Sequence, residues 1–254
     1  MKKPNPETLS RRKFITRAGA VGGLLLTGCD TDLYRPPVIR DGLMGVADVL
    51  TMASQRLLLS GQPLVQEHDV SEITKNFPVW NQSNPEDEEY QRLRQGNYTD
   101  WQLPIGGMVN RPTSLSLEDL KRLPRRTQIT SHICEQGWSA IAQWTGAPLL
   151  NVLEAAGGVT PEARYVLIDA YGGWYEGYDM FDAVHPQTIL AYGMNGKELP
   201  LGHGAPARLR VERHCGYKQI KFVKSIRVVS NMDGFGRGTG GLNSDFGFHW
   251  YAGA

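Results

Sequence analysis

The stretch Ser131-His132-Ile133-Cys134-Glu135-Gln136-Gly137-Trp138-Ser139 ends a short polar and β-branched run on a thiol, and a Gly-Trp pair follows at once. A strand there would deliver Cys134 to the wall of a cavity, where a thiolate is a soft ligand for a metal centre. Zinc has no support, because the chain holds neither a Cys-x-x-Cys pair nor a His-Glu-x-x-His segment. Thiol catalysis would need a lowered pKa and a nearby base, and His132 and His214 are only neighbours along the chain. From residue types alone Cys134 stays open between buried packing, a disulfide with Cys215, and a metal ligand.

The elements around this thiol must position it. Ile129 and Thr130 lead to Cys134 as a strand. Ser116 to Pro124 reads as a short helix, with Ser116 as its cap, acids in its first turn, bases in its last and Pro124 closing it. Pro148 to Ala156 reads as a helix ended by Gly157-Gly158, and Arg164 to Ala170 as a buried strand. Gly172-Gly173-Trp174-Tyr175-Glu176-Gly177-Tyr178 is a glycine and aromatic loop of the kind that lines a pocket. Ala207 to Glu212 alternates strictly, so Arg208, Arg210 and Glu212 share one strand face, and Lys218 to Val229 continues as a β-rich run. Earlier, Leu43, Val46, Val49, Leu50, Ala53, Leu57 and Leu58 recur at helical spacing until Gly61 and Pro63, giving an amphipathic helix for packing or docking. Between them, Gln66 to Asp100 is a long polar segment whose aromatic residues argue for a functional loop. The result is an α+β fold with a mixed sheet and a β-rich C-terminal half. Gly234-Phe235-Gly236-Arg237-Gly238 follows the last strand and precedes no helix, so it is not a phosphate loop.

The 254 residues, 41% hydrophobic and 21% charged, suffice for a globular core. The formal net charge of +1 averages two unlike parts. Residues 1–28 hold six of the basic residues against Glu7, and the remainder carries 21 basic and 25 acidic residues, about −4. That balance gives no reason to expect nucleic acid as a partner. Ser10-Arg11-Arg12-Lys13-Phe14-Ile15-Thr16 matches the twin-arginine export pattern, and the uncharged run from Ala18 to Gly28 is too short to span a bilayer. It ends in Leu26-Thr27-Gly28-Cys29, a lipoprotein-type cleavage box in which Cys29 receives the lipid; an ordinary exported protein with an incidental cysteine is the alternative. The expected organisation is a signal over 1–28, a tether over 29–41 and one domain with an N-terminal helix over 42–254. The expected location is the periplasm, at a membrane through the lipid on Cys29. Because this route exports folded proteins, it also favours a protein loaded with a cofactor.

Cys134-Glu135-Gln136-Gly137-Trp138-Ser139 followed by Trp144-Thr145-Gly146-Ala147-Pro148-Leu149 resembles the cysteine segment of the sulfite oxidase family of molybdopterin enzymes. The likeness is nearest to the bacterial periplasmic branch that includes the catalytic subunit of the molybdenum methionine sulfoxide reductase. His203-Gly204-Ala205-Pro206-Ala207-Arg208 and Gly216-Tyr217-Lys218-Gln219-Ile220-Lys221 resemble that family's cofactor-binding blocks in order, and the similarity covers about Phe77 to Val229.

The resemblance implies a sulfite oxidase-type fold holding Mo-molybdopterin, with Cys134 coordinating molybdenum. It implies that Arg208 gives paired hydrogen bonds to the pterin phosphate and Lys221 a point charge. His203 and Asn81 would hydrogen-bond the cofactor, while Gln219 and Ile220 contribute mainly backbone. Tyr175, Glu176 and Tyr178 are the candidates for the substrate wall. The implied reaction is two-electron redox with oxygen-atom transfer to or from a small-molecule substrate. Electrons would be exchanged with a membrane cytochrome b or a soluble cytochrome c, since the chain has no haem or ferredoxin motif. Sulfite oxidases of animals and plants place arginines soon after the cysteine, where this chain has Glu135, Gln136 and Gly137, so a sulfoxide or N-oxide is favoured over sulfite. A lipid-anchored envelope protein that binds or builds without catalysis is the rival reading.

Overall fold

The computed structural model describes residues 45–58 and 65–251, so the predicted signal, tether and Cys29 lie outside the described residues. The chain divides into two units, Met1–Thr51 and Met52–Ala254. Helix α1 (Gly45–Leu58) realises the predicted helical spacing, and its Val46, Val49, Leu50 and Leu57 are exposed.

The larger unit is an α+β body built on two five-stranded sheets. The first takes strands β1 (Gln102–Gly107), β2 (Thr113–Ser116), β5 (Tyr165–Ala170), β6 (Tyr175–Asp179) and β10 (Val223–Val229) in the order β2-β1-β10-β5-β6. It is mixed, because β1 and β10 run parallel while the other pairs are antiparallel. The second joins β3 (Arg126–Ile133), β4 (Ser139–Pro148), β7 (Ile189–Met194) and β8 (Lys197–Glu198), with β9 (Arg208–Arg210) beside β7. Short helices α2 (Glu88–Gln95), α3 (Leu117–Arg122), α4 (Leu149–Ala155), α5 (Met180–Ala183) and α6 (Leu242–Asp245) connect them.

Local chemistry accounts for the boundaries. Ser116 caps α3 as predicted, with Asp119 N donating to its Oγ at 3.1 Å and the Asp119 carboxylate accepting in return from the Ser116 backbone N–H, also at 3.1 Å. After α4 the chain turns on Gly157 and Gly158 at φ of 79° and 78°, a region that favours glycine. In β4, Gly146 lies against the β7 backbone at a register shift; a methyl there would stand 2.2 Å from the Leu190 carbonyl oxygen. The main core lies over the first sheet, where Trp101, Leu103, Ile105, Val166, Ile168, Ile226 and Val228 pack together.

One reading of the sequence is corrected here. The glycine and aromatic segment after β5 is a turn over Tyr171–Trp174 followed by a paired strand, so Tyr175, Glu176 and Tyr178 belong to β6 and not to a loop. The alternating Arg208, Arg210 and Glu212 do share a face, but that face is buried, each side chain being under 5% exposed.

Candidate active site

Strand β3 aims the thiol. Alternation along it turns Gln128, Thr130 and His132 inward, and Cys134 follows in the same phase as the first residue of the β3–β4 hairpin tip. The tip closes by Cys134 N donating to Trp138 O at 2.9 Å and Gly137 N to Cys134 O at 3.1 Å, with Gly137 at φ 85°. The Gly-Trp pair is thus turn chemistry: Gly137 closes the hairpin, and Trp138 stands edge-on to Phe77 at 6.2 Å. Cys134 and Cys215 are both free thiols, which removes the disulfide alternative in this structure. Burial pushes the Cys134 thiol up, the Gln136 backbone N–H opposes this, and the Glu135 carboxylate and Cys215 add to it.

Cys134 opens into a pocket of about 630 Å³. Asn81, His203, Arg208, Gln219, Ile220 and Lys221 line the same pocket, so the three sequence blocks and the loop around Asn81 converge on one cavity. Phe77, Trp80, His132, Glu135, Trp138 and Trp174 line it too. Tyr175, Glu176 and Tyr178 do not. Tyr178 is fully buried and donates its hydroxyl to the Lys218 carbonyl, Glu176 pairs with Lys218, and Tyr175 bonds the Asp245 carboxylate. The substrate wall predicted from these three is therefore misplaced, and Trp174, just before β6, is the residue of that segment that faces the cavity.

The cationic side of the pocket is locked to backbone. Arg208 donates from Nη1 to His203 O and from Nη2 to Gln219 O, each at 3.1 Å, and lies 4.9 Å over the Trp144 ring. Its Nε, buried, has no hydrogen-bond partner among the described residues. Lys221 Nζ donates to the carbonyls of Trp80 at 2.9 Å, Gly202 at 3.2 Å, and Gln82, so it ties the 77–82 loop to the single helical turn Leu201–His203. Asn81 takes a left-handed φ of 59°, which asparagine tolerates, and its Oδ1 accepts from Gln82 N. The Gln219 side chain is consumed by Val211 N, Val211 O and His214 O, shaping the loop that precedes the turn at Gly216–Lys218.

These cations crowd one another. Burial and neighbouring Arg210 lower Arg208 to about 9, burial and Arg208 lower Lys221 to about 7, and burial with Arg208 and Lys221 lowers His203 to about 4. His132 falls to about 2 through burial and the charges of Arg210 and Arg208. Against them the lining holds one carboxylate, Glu135, whose Oε2 lies 3.6 Å from the Cys134 sulfur. Such a wall is stabilised by an anion placed before it.

This gives a test by pH. Unfolded Lys221 keeps its proton well above pH 7, whereas the folded side chain loses it near 7, so the unfolded chain binds more protons there and stability rises with pH. The cofactor-free protein is expected to gain about 1 kcal/mol between about pH 7 and 8.5, allowing for partial exposure. Urea midpoints at the two pH values check this, and an anion held at the site should flatten the dependence.

A thiol facing a buried arginine and a half-buried lysine across one cavity suits a domain that holds an anionic, metal-bearing cofactor. Residues 91–234 match the oxidoreductase molybdopterin binding domain, and the chain belongs to that family. It is 32% identical over 98% of its length to a chain of Azospira oryzae named as the protein-methionine-sulfoxide reductase subunit YedZ1, of which it covers 89%. It is 36% identical over 52% of its length to the protein-methionine-sulfoxide reductase catalytic subunit MsrP of Xanthomonas axonopodis pv. citri, of which it spans 46%. Among solved structures, the sulfane dehydrogenase SoxCD of Paracoccus pantotrophus is similar over 52% of this chain and 39% of that one, at 27% identity and a TM-score of 0.49.

The protein is a molybdopterin-binding oxidoreductase, as its resemblance to the sulfite oxidase family implied, and its cofactor is Mo-molybdopterin. The residues present fit that group. The unpartnered Arg208 Nε and the mutual repulsion of Arg208 and Lys221 call for an anion such as the pterin phosphate, and the thiol offers sulfur to a metal. Residue types alone do not reveal the roles of His132, Arg210 and Glu212. The signal that could have found them is phase: counting back in twos from Cys134 gives His132, Thr130 and Gln128 on its own strand face.

Proposed function

We propose that this chain is the catalytic subunit of an exported molybdopterin-dependent reductase of sulfoxides, with Cys134 as the protein's ligand to molybdenum. The observation that carries the reading is Cys134 opening into the same pocket as Arg208, His203 and Lys221. Relatives named for methionine sulfoxide reduction support the substrate class, as does the carboxylate of Glu135 beside the thiol, which disfavours an anion such as sulfite.

When bound, the cofactor supplies two-electron oxygen-atom transfer. The chain's residues hold and shield it. Arg208 has spent two of its five N–H donors on carbonyls, so Nε–H and the remaining Nη hydrogens are free for paired bonds to phosphate. Lys221 acts differently from a bare point charge: its three donors already serve the carbonyls of Trp80, Gln82 and Gly202, so it contributes field and holds the loop that carries Asn81. His203 and Asn81 face the cavity as hydrogen-bonding groups for the pterin, and Phe77, Trp138 and Trp174 exclude water from its walls.

Electrons arrive from a membrane cytochrome b or a soluble cytochrome c, and the lipid on Cys29 keeps the protein at the membrane after twin-arginine export. Protein from a host that makes molybdopterin should contain near-stoichiometric molybdenum and reduce sulfoxides, rather than oxidise sulfite, with an artificial donor. Absence of the metal, or sulfite turnover alone, would overturn the reading. For the anchor, Cys29→Ser should move the protein from the membrane to the soluble fraction; retention would refute the lipid.

A further inference from the structure

His132 is not among the residues assigned to cofactor or metal, yet a buried side-chain network fixes its ring. Arg210, fully buried, points Nη1 at His132 Nδ1 at 2.8 Å. Arg210 is itself held by Glu212, from Nε to Oε1 at 3.2 Å and from Nη2 to Oε2 at 2.6 Å, and donates to Ser131 O at 3.3 Å. Gln128 Nε2 donates to Glu212 Oε1 at 2.7 Å and to Gln187 O at 2.9 Å, which closes the chain of support. The imidazole ring packs against both Phe77, at 5.7 Å, and Trp138, at 5.6 Å between centroids.

An arginine offers only donors, so His132 Nδ1 must accept and the ring's proton sits on Nε2. That Nε2–H has no hydrogen-bond partner among the described residues, although the side chain is 8% exposed and lines the pocket. A methyl at Gly216 would stand 3.0 Å from Nε2, 3.1 Å from Glu135 Oε2 and 3.3 Å from Cys134 Cα, so the bare glycine leaves room for all three to approach its backbone. His132 shares the strand face and phase of Cys134, about 7 Å along it. It therefore serves the thiol's end of the cavity, whereas Arg208 and Lys221 serve the backbone of the 77–82 and 201–221 segments.

We propose that His132 Nε2–H is the hydrogen-bond donor to the oxygen of a neutral sulfoxide substrate, with Arg210 and Glu212 as the positioning residues that fix its tautomer. The inference rests on the sulfoxide reductase reading. Reduction breaks the S–O bond, takes two electrons through the cofactor from the electron partner and two protons from water, and releases the oxygen as water. His132 gives a hydrogen bond and no proton, so its tautomer is unchanged over the cycle. A sulfoxide oxygen is a strong neutral acceptor, and the nearby Glu135 carboxylate makes the same place unfavourable for an oxyanion.

The tautomer is read in the cofactor-free protein by imidazole 15N NMR: Nε2 is expected to carry hydrogen and Nδ1 to be bare, and the opposite assignment would refute the relay. In the holoprotein, His132→Phe keeps a ring against Phe77 and Trp138 and removes the donor. It should retain wild-type molybdenum and lose about 10- to 100-fold in kcat/KM for a dialkyl sulfoxide. His132→Gln, which restores an N–H, should recover part of that loss. Unchanged kcat/KM in His132→Phe would overturn the proposal, and so would loss of its molybdenum, which would make His132 a cofactor residue. Wild-type protein that holds molybdenum but reduces no sulfoxide would sink the parent reading and this one together.

Discussion

Cys134→Ser is expected to abolish redox turnover, by at least about 10³-fold or about 4 kcal/mol of transition-state stabilisation, while leaving the fold intact. The reason is the difference between sulfur and oxygen as donors. A thiolate is soft and electron-rich and suits a high-valent thiophilic metal, whereas a serine hydroxyl is hard and seldom ionised. The fold should survive because the hairpin tip is closed by backbone bonds, Cys134 N to Trp138 O at 2.9 Å and Gly137 N to Cys134 O at 3.1 Å, and serine keeps both. The sulfur itself makes one weak contact, 3.6 Å to Glu135. Circular dichroism, urea midpoint, metal content and turnover should therefore separate: the first two near wild type, the last lost. Full turnover in the variant would show that Cys134 is not the ligand. Collapse of the fold would show that the thiol is packing, the bland use open to it from residue type.

How far the sequence could be read follows from which interactions are local. The capped helix at Ser116, the strand leading to Cys134 and the buried strand up to Ala170 depend on neighbours within a few residues, and they stand where local pattern places them. The pocket's membership was legible through three separated blocks, and Asn81, Cys134, His203, Arg208, Gln219, Ile220 and Lys221 do share it. What stayed hidden depends on distant partners. Tyr178 and Glu176 looked like pocket wall because glycine and aromatic residues are common there, but β6 pairs with β5 and turns both side chains toward Lys218. Arg210 was legible only as one member of a shared strand face, because nothing near it in sequence says that Glu212, Gln128 and His132 will enclose it. Lys221 was legible as a charge near a phosphate but not as the tie for a loop about 140 residues earlier, to the carbonyls of Trp80 and Gln82.

The same hidden contacts set the second large effect, at Lys218. Its Nζ is buried, donating to Glu176 Oε1 at 2.6 Å and Gly177 O at 3.0 Å, with the Tyr178 ring 5.0 Å and the Trp250 ring 5.2 Å away. Glu176 Oε2 has no hydrogen-bond partner among the described residues, so the carboxylate depends on Lys218 for its charge. Lys218→Met removes the cation and should cost about 3–5 kcal/mol, the range for stranding one member of a buried pair. Burial already raises the Glu176 carboxyl above its ordinary value, and Lys218 is what opposes that rise. Without the lysine the folded-state value climbs further, so the folded chain binds more protons than the unfolded one above pH 4.5 and stability falls as pH rises toward the raised value. The deficit of Lys218→Met should therefore be smaller at about pH 5 than at about pH 8. Glu176→Gln in the same background leaves no buried charge and should restore most of the loss at pH 8. Urea unfolding of the wild type, both single variants and the double variant at the two pH values measures the coupling. A deficit independent of pH, or unrelieved by Glu176→Gln, would show that Lys218 acts through packing alone. The pair also bridges β6 to the turn Gly216–Lys218, directly before Gln219, Ile220 and Lys221 on the pocket wall. Losing it should loosen that wall, so Lys218→Met is expected to shed molybdenum on dialysis faster than wild type even at pH 5, where its stability is nearest to normal.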